Sequence, residues 1–286
     1  MQNIAAMKQA LLFCLAVSFA LLTPLSDISA QTRYIKKVDK YLGQNDTAKA
    51  LTTLNKYIDK KPEAAQLYLK RAMIKIDQKH YDPALVDLNS FCSVNKTCGE
   101  AEYWKGVIMY KQGNYTGAVE NFGNYSRKFD KAESWFYLAL SHMWLQNYNL
   151  SMYAFTRSLE VDANQPAAWY NAGVSAYRYG DHTKADSLLR RAQELSPEDL
   201  DVKMAIGLNL AKQKDFIESN KVLRSIQDVY SNKGSVLFNI GLNYFHMDER
   251  EHACEYWSLA AEEGHGQGLT SRKKFCDKKP KKGRKK

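Results

Sequence analysis

Repetition at a fixed interval constrains this chain more than any other feature. From residue 31 onward it divides into seven units starting at Gln31, Ala65, Gly99, Ala132, Pro166, Leu200 and Gly234, each 34 residues apart except for one residue missing from the third. In register, the twentieth column reads Ala50, Ala84, Ala118, Ser151, Ala185, Ser219, Ala253, all small. One helical turn later the column reads Leu54, Leu88, Phe122, Phe155, Leu189, Leu223, Trp257, all large and apolar. The eighth column is Val38, Ala72, Gly106, Ala139, Gly173, Gly207, Gly241. Small residues let helix backbones approach and large ones fill the space that remains, so these columns predict close helix packing within a stack. A unit this short cannot bury its own apolar stripe and depends on its neighbours.

The fifth unit, residues 166–199, reads as helix, turn, helix. It carries Trp169, Gly173, Gly180 at the turn, Ala185, Leu189, Ala192 and a closing Pro197. That spacing resembles the tetratricopeptide repeat (TPR) family. The resemblance implies an all-α chain: a right-handed TPR solenoid of about seven helix pairs over residues 31–277, with a C-terminal capping helix. Departures are present. The turn glycine of the family occurs only as Gly113 and Gly180, and position seven is Lys37, Arg71 and Lys105 in the first three units, which predicts shifted or unusually wet first helices there. The segment from Ala253 through Gly268, with Cys276 downstream, is similar to the Sel1-type variant of the repeat, with a tryptophan and paired alanines ahead of a glycine.

In TPR proteins the first helix of each unit lines a concave groove. Carried over by position, the resemblance implies a groove of Tyr103, Tyr110, Phe136, Met143, Tyr170, Tyr177, Met204, Phe238 and Phe245, edged by Trp144 and Arg178. Aromatic anchors of this kind bury much area for few rotatable bonds, which suits capture of a peptide or a partner helix. The Lys and Asn pattern of the carboxylate-clamp TPRs is absent from position five, which runs Ile35, Leu69, Tyr103, Phe136, Tyr170, Met204, Phe238.

A net charge of +10 would suggest a nucleic-acid partner if it were spread over the repeats. It is not: residues 272–286 hold ten Lys or Arg against one acid, so the tail carries nearly all of it. No nucleic acid is therefore expected as a partner. Residues 278–286 have no apolar side chain to bury and are expected to be a disordered basic tail able to meet an anionic membrane or wall surface.

At the other end, Lys8 precedes an apolar run from Ala10 to Leu22 and a stretch ending Ile28-Ser29-Ala30. The pattern predicts a signal peptide over residues 1–30 cleaved near Ala30, and hence an exported chain, periplasmic or associated with an outer membrane. Its apolar core is shorter than the ~20 residues that span a bilayer. After removal, Cys92, Cys98, Cys254 and Cys276 remain, an even number that predicts two disulfides in an oxidising compartment. Cys92 and Cys98 flank one turn, and a Cys254–Cys276 bond would pin a cap over the end of the stack.

Catalytic groupings are not evident. The six histidines are scattered, and no nucleophile, base and acid set, phosphate loop or metal-ligand spacing stands out. We therefore expect no enzyme, no cofactor and no metal. The expected function is a protein-interaction scaffold or adaptor in the cell envelope that holds a partner peptide or helix in its groove. The alternative is an adhesion protein tethered to anionic lipid or wall polymer through its tail.

Overall fold

The computed structural model describes residues 25–95 and 97–277. Most of the expected signal peptide, residues 1–24, and the basic tail, residues 278–286, lie outside the described residues. The described chain is all-helical, with fifteen α-helices, a closing π-helical turn and no strand. It divides into two compact units, residues 25–113 and 114–277.

The first unit holds α1 (Leu25–Gly43), α2 (Thr47–Lys60), α3 (Ala65–Asp77), α4 (Tyr81–Val94) and α5 (Gly99–Lys111). The second holds α6 (Tyr115–Phe129), α7 (Ala132–Trp144), α8 (Tyr148–Val161), α9 (Pro166–Tyr179), α10 (His182–Leu195), α11 (Leu200–Lys212), α12 (Phe216–Ile226), α13 (Lys233–His246), α14 (Arg250–Glu262) and α15 (Gly266–Ser271), followed by the π turn Arg272–Cys276. Helices α3, α5, α7, α9 and α11 begin at the first residue of their repeats, and α13 begins one residue early. The helices that carry Arg71 and Lys105 are therefore not shifted, whereas α1, which carries Lys37, begins at Leu25, ahead of Gln31.

Each helix pair turns on one backbone device. Position fifteen is left-handed in all seven repeats: Asn45 (φ 57°), Lys79 (61°), Gly113 (76°), Gln146 (59°), Gly180 (98°), Lys214 (67°) and Asp248 (62°). That conformation ends the first helix, and the next amide reaches back to a carbonyl of its last turn, as in Asp181 N–H to Ala176 O at 3.0 Å and Asp215 N–H to Leu210 O at 3.0 Å. The same residue then caps the second helix. Asp46, Asn114, Asp181 and Asp215 each accept the amide hydrogen three residues on, at 3.0 to 3.3 Å.

Within the second unit, each helix packs against its neighbours in sequence. First helices of successive repeats also touch, α7 with α9, α9 with α11 and α11 with α13, whereas no two second helices do among the described residues. The first helices therefore form the tighter inner layer of this unit. All seven residues of the small column and all seven of the large column are buried to within 1% of full. The eighth column explains how. A β-carbon on Gly173 would lie 2.7 Å from Leu189 Cγ, one on Gly207 2.6 Å from Leu223 Cδ2, and one on Gly241 2.6 Å from the Trp257 ring. Glycine is needed there because the large side chain of the second helix rests on the backbone of the first. The small column faces the next repeat as well. Ser151 and Ser175 hydroxyls pair at 2.9 Å, and Asn243 donates to Ser219 Oγ at 2.8 Å while Ser219 donates to Gly207 O at 2.7 Å.

In the first unit Arg71, expected to be wet, is tied down instead. Its guanidinium donates to Asp87 from Nε at 2.9 Å and from Nη2 at 2.6 Å, and to Asn55 at 2.7 Å. Lys75 adds a contact to Asp87 at 2.7 Å, and Asp87 is buried. A carboxylate can sit in a core when three hydrogen-bonded cationic contacts surround it. Lys37, by contrast, is exposed as expected.

The end of the second unit is sealed. Phe275 of the π turn packs on Phe245 at 4.8 Å and on Trp257 at 5.7 Å between ring centroids. Cys254 and Cys276 hold it there with Sγ atoms 2.03 Å apart and Cα atoms 5.7 Å apart. The Cys92 and Cys98 sulfurs are likewise paired, with Cα atoms 4.9 Å apart.

Candidate functional site

The inner layer of the second unit is where partner-facing side chains were expected, and a pocket of about 290 Å³ lies between two of its helices. Along α9, Tyr170, Val174 and Tyr177 recur at four and three residues and so share a face. On α11, Asp201, Met204, Ala205 and Leu208 present the opposing face by the same spacing. Leu189, the large-column residue of α10, forms the floor, and Arg178 stands at one rim.

The far wall comes from outside the helices. Helix α12 stops at Ile226, and the chain takes a longer path to α13 that carries Tyr230 and Asn232. Tyr230 folds back over α11 and donates its hydroxyl to Asp201 Oδ1 at 2.7 Å. Asp199, beside it, spends its carboxylate as the cap of α11, accepting from the Asp201 and Val202 amides at 2.9 and 3.2 Å.

The electrostatics differ from end to end. Burial, helped by the hydrogen bond to Asp201 and the charges of Asp201 and Asp199, pushes the Tyr230 hydroxyl up to about 12. Burial likewise raises Tyr170, with the same two carboxylates adding to it. Tyr177 is raised by burial but opposed by Arg178. The pocket is thus anionic toward Asp201 and cationic toward Arg178, with tyrosine faces between.

Of the expected groove residues, the fold brings Tyr170, Tyr177, Arg178 and Met204 together around this pocket. Met204 contributes only an edge, because it is 9% exposed and packs into the core with Leu223, Ile240 and Trp257. Phe238 and Phe245 lie elsewhere. Phe238 is covered by His265 at 4.7 Å and Phe245 by Trp257 at 5.4 Å and Phe275, so the cap occupies the inner face of the last repeat. In the fourth repeat Phe136 packs on Phe155 at 5.5 Å and Met143 is half-buried, while exposed Trp144 stacks on Tyr115 at 5.4 Å. Tyr103, edge-on to Trp104 at 5.3 Å, and Tyr110 are half-buried in the first unit. Tyr230 and Asp201 were missed. Tyr230 falls in an inter-repeat link that no column describes, and Asp201 reads as a helix-capping acid.

Among the described residues no three His, Cys, Asp or Glu side chains converge as a metal ion would require. No described helix is long and apolar enough to cross a membrane.

Comparison with known proteins places these helix pairs. Residues 138–199 match the family model for the tetratricopeptide repeat. Over 95 residues, 33% of its length, the chain is 30% identical to a Protein SGT1 homolog of Bos taurus, and it spans 28% of that relative. Its fold is similar to the crystal structure of the C-terminal part of a TPR repeat-containing protein from Cytophaga hutchinsonii, with a TM-score of 0.65 at 19% identity over 82% of this chain and 98% of that one. It is also similar to a tetratricopeptide repeat protein from Parabacteroides merdae, with a TM-score of 0.58 at 15% identity over 86% of this chain and 97% of that one.

Proposed function

We propose, from the premise that this chain is a tetratricopeptide-repeat protein, that it is a non-enzymatic scaffold whose inner helix layer holds a segment of a partner protein. One observation carries the reading: the pocket between α9 and α11, lined by Tyr170, Tyr177 and Tyr230. Such rings offer apolar faces and polar tips at small entropic cost, which suits recognition of a peptide backbone and its side chains. Two walls are side chains on packed helices and the third, Tyr230, is held by its hydrogen bond to Asp201, so little ordering is left to be done on binding.

The same reading places the chain outside the cytosol, as an envelope adaptor. Two cysteine pairs, one of them pinning the C-terminal cap, support that placement because such bonds persist in oxidising compartments. Alkylation of the native protein without reductant should leave Cys92, Cys98, Cys254 and Cys276 unmodified.

Changing Tyr170 and Tyr177 together to Ala tests the binding role. Both rings are only half-buried, so the fold should survive with its helical signal unchanged while capture of a crosslinked partner is lost. Capture at wild-type level by the folded double variant would overturn the reading.

A further inference from the structure

The ends of the tyrosine pocket are not equivalent, and the difference names the chemistry of what enters. At one end Asp201 presents a carboxylate whose Oδ1 accepts the Tyr230 hydroxyl at 2.7 Å, beside the rings of Tyr170 and Tyr230. Lys203, two residues on, pairs with Glu198 at 3.3 Å, and Arg178, the cation that lines the pocket, lies along α9 beside Tyr177. We infer that the Asp201 end of this pocket is a receptor for a cationic side chain, a Lys or Arg of the bound segment, held by the carboxylate and the faces of Tyr170 and Tyr230. The proposal rests on the groove reading above and adds to it the chemical class of the residue recognised.

Three physical effects act together there. A tyrosine face attracts a cation within ~6 Å of its centroid, more strongly as water is excluded. A carboxylate held by a hydrogen bond is pre-oriented, so an incoming guanidinium or ammonium meets a fixed acceptor. The half-buried rings of Tyr170 and Tyr230 lower the dielectric on one side of the pair, while Asp201 itself is exposed, so the attraction should weaken as salt is added. The hydroxyls of Tyr170 and Tyr230 are raised first by burial and then by the charges of Asp201 and Asp199, and that second, negative contribution is the one that would favour a cation. Arg178 at the opposite rim makes the site directional: it disfavours a second cation at that end and fits an acidic or carbonyl group of the same segment.

The chain's own charge makes the test discriminating. A protein of net charge +10 enriches acidic peptides through non-specific attraction, the opposite of what this pocket should select. The experiment is selection of a random dodecapeptide library on the immobilised full-length chain, run in parallel on Asp201→Asn and on Tyr177→Ala. Wild type should yield peptides sharing a Lys or Arg among apolar residues. Asp201→Asn should bind those peptides at least tenfold more weakly, and replacing their basic residue by citrulline or norleucine should do the same on wild type. Enriched peptides that lack a basic residue, are indifferent to Asp201→Asn and yet are lost on Tyr177→Ala would overturn the cation proposal while leaving the groove. Failure to enrich any peptide, or enrichment unaffected by both variants, would overturn both.

Discussion

A β-carbon added to Gly241 would lie 2.6 Å from Cδ1 and 2.7 Å from Nε1 of Trp257, whose indole is 1% exposed. The ring is rigid and enclosed by Ile240, Ala253 and Phe245, so it cannot swing clear as a leucine end can. Replacing Gly241 by Ala should therefore cost the ~1–3 kcal/mol of overpacking, less the ~1 kcal/mol that alanine returns in a helix. Gly123, also helical, has nothing within 4 Å of its would-be β-carbon. Gly123→Ala should gain roughly 0.5–1 kcal/mol. Urea or thermal unfolding should move in opposite directions for the two variants; two shifts of the same sign would show that the eighth column is not a packing column.

Lys214 occupies the left-handed turn position that Gly180 fills one repeat earlier, at φ 67° against 98°. A side chain there costs ~1–2 kcal/mol, partly offset because glycine has more freedom to lose on folding. Lys214→Gly should raise stability by about 0.5–1 kcal/mol, and Gly180→Ala should lower it. Shifts of the same sign for these two opposite substitutions would mean that the turns are not equivalent.

The repeat columns were legible in the sequence because they recur: Gly241, Ala253 and Trp257 read as packing residues only beside Gly207, Ser219 and Leu223. The turn was legible at two glycines and hidden at five other residues, since Lys79, Gln146 and Lys214 carry no composition signal for a left-handed backbone. Arg71 was misread because a charge in a packing column looks like a wet surface until its partner, Asp87, is seen one helix away. The site was half legible. Tyr170 and Tyr177 follow from the groove positions that the TPR resemblance implies, whereas Tyr230 reaches Asp201 across 29 residues, and the cap expected from Cys254 and Cys276 covers Phe245, which the repeat positions alone assign to the groove.

Asp87 is 1% exposed and takes contacts from both Arg71 and Lys75. Removing it strands two cations whose side chains are 18% and 21% exposed. Asp87→Ala should cost about 3 kcal/mol, and Arg71→Met added to it should restore part of that loss. Additive losses in the double variant would show that the pair is not coupled.

Tyr230 supplies a pH signature. An unfolded tyrosine ionises near 10 and the folded Tyr230 at about 12, so between those values the unfolded chain holds fewer protons than the native one. The contribution of Tyr230 is complete below pH 10 and is lost as pH rises toward 12. Ultraviolet difference titration of wild type against Tyr230→Phe should reveal one phenol ionising at the alkaline end, moved downward by Asp201→Asn. A difference spectrum centred near pH 10 would break the link between Tyr230 and Asp201.

The central claim is that a partner lies against the inner helix layer of the second unit. A photoreactive amino acid placed at Tyr177, which lines the pocket, and separately at Ile217, which is 76% exposed on second helix α12, compares the two layers directly in intact cells. The account predicts a discrete protein adduct from position 177 and none from position 217. Adducts from position 217 with none from 177 would contradict it.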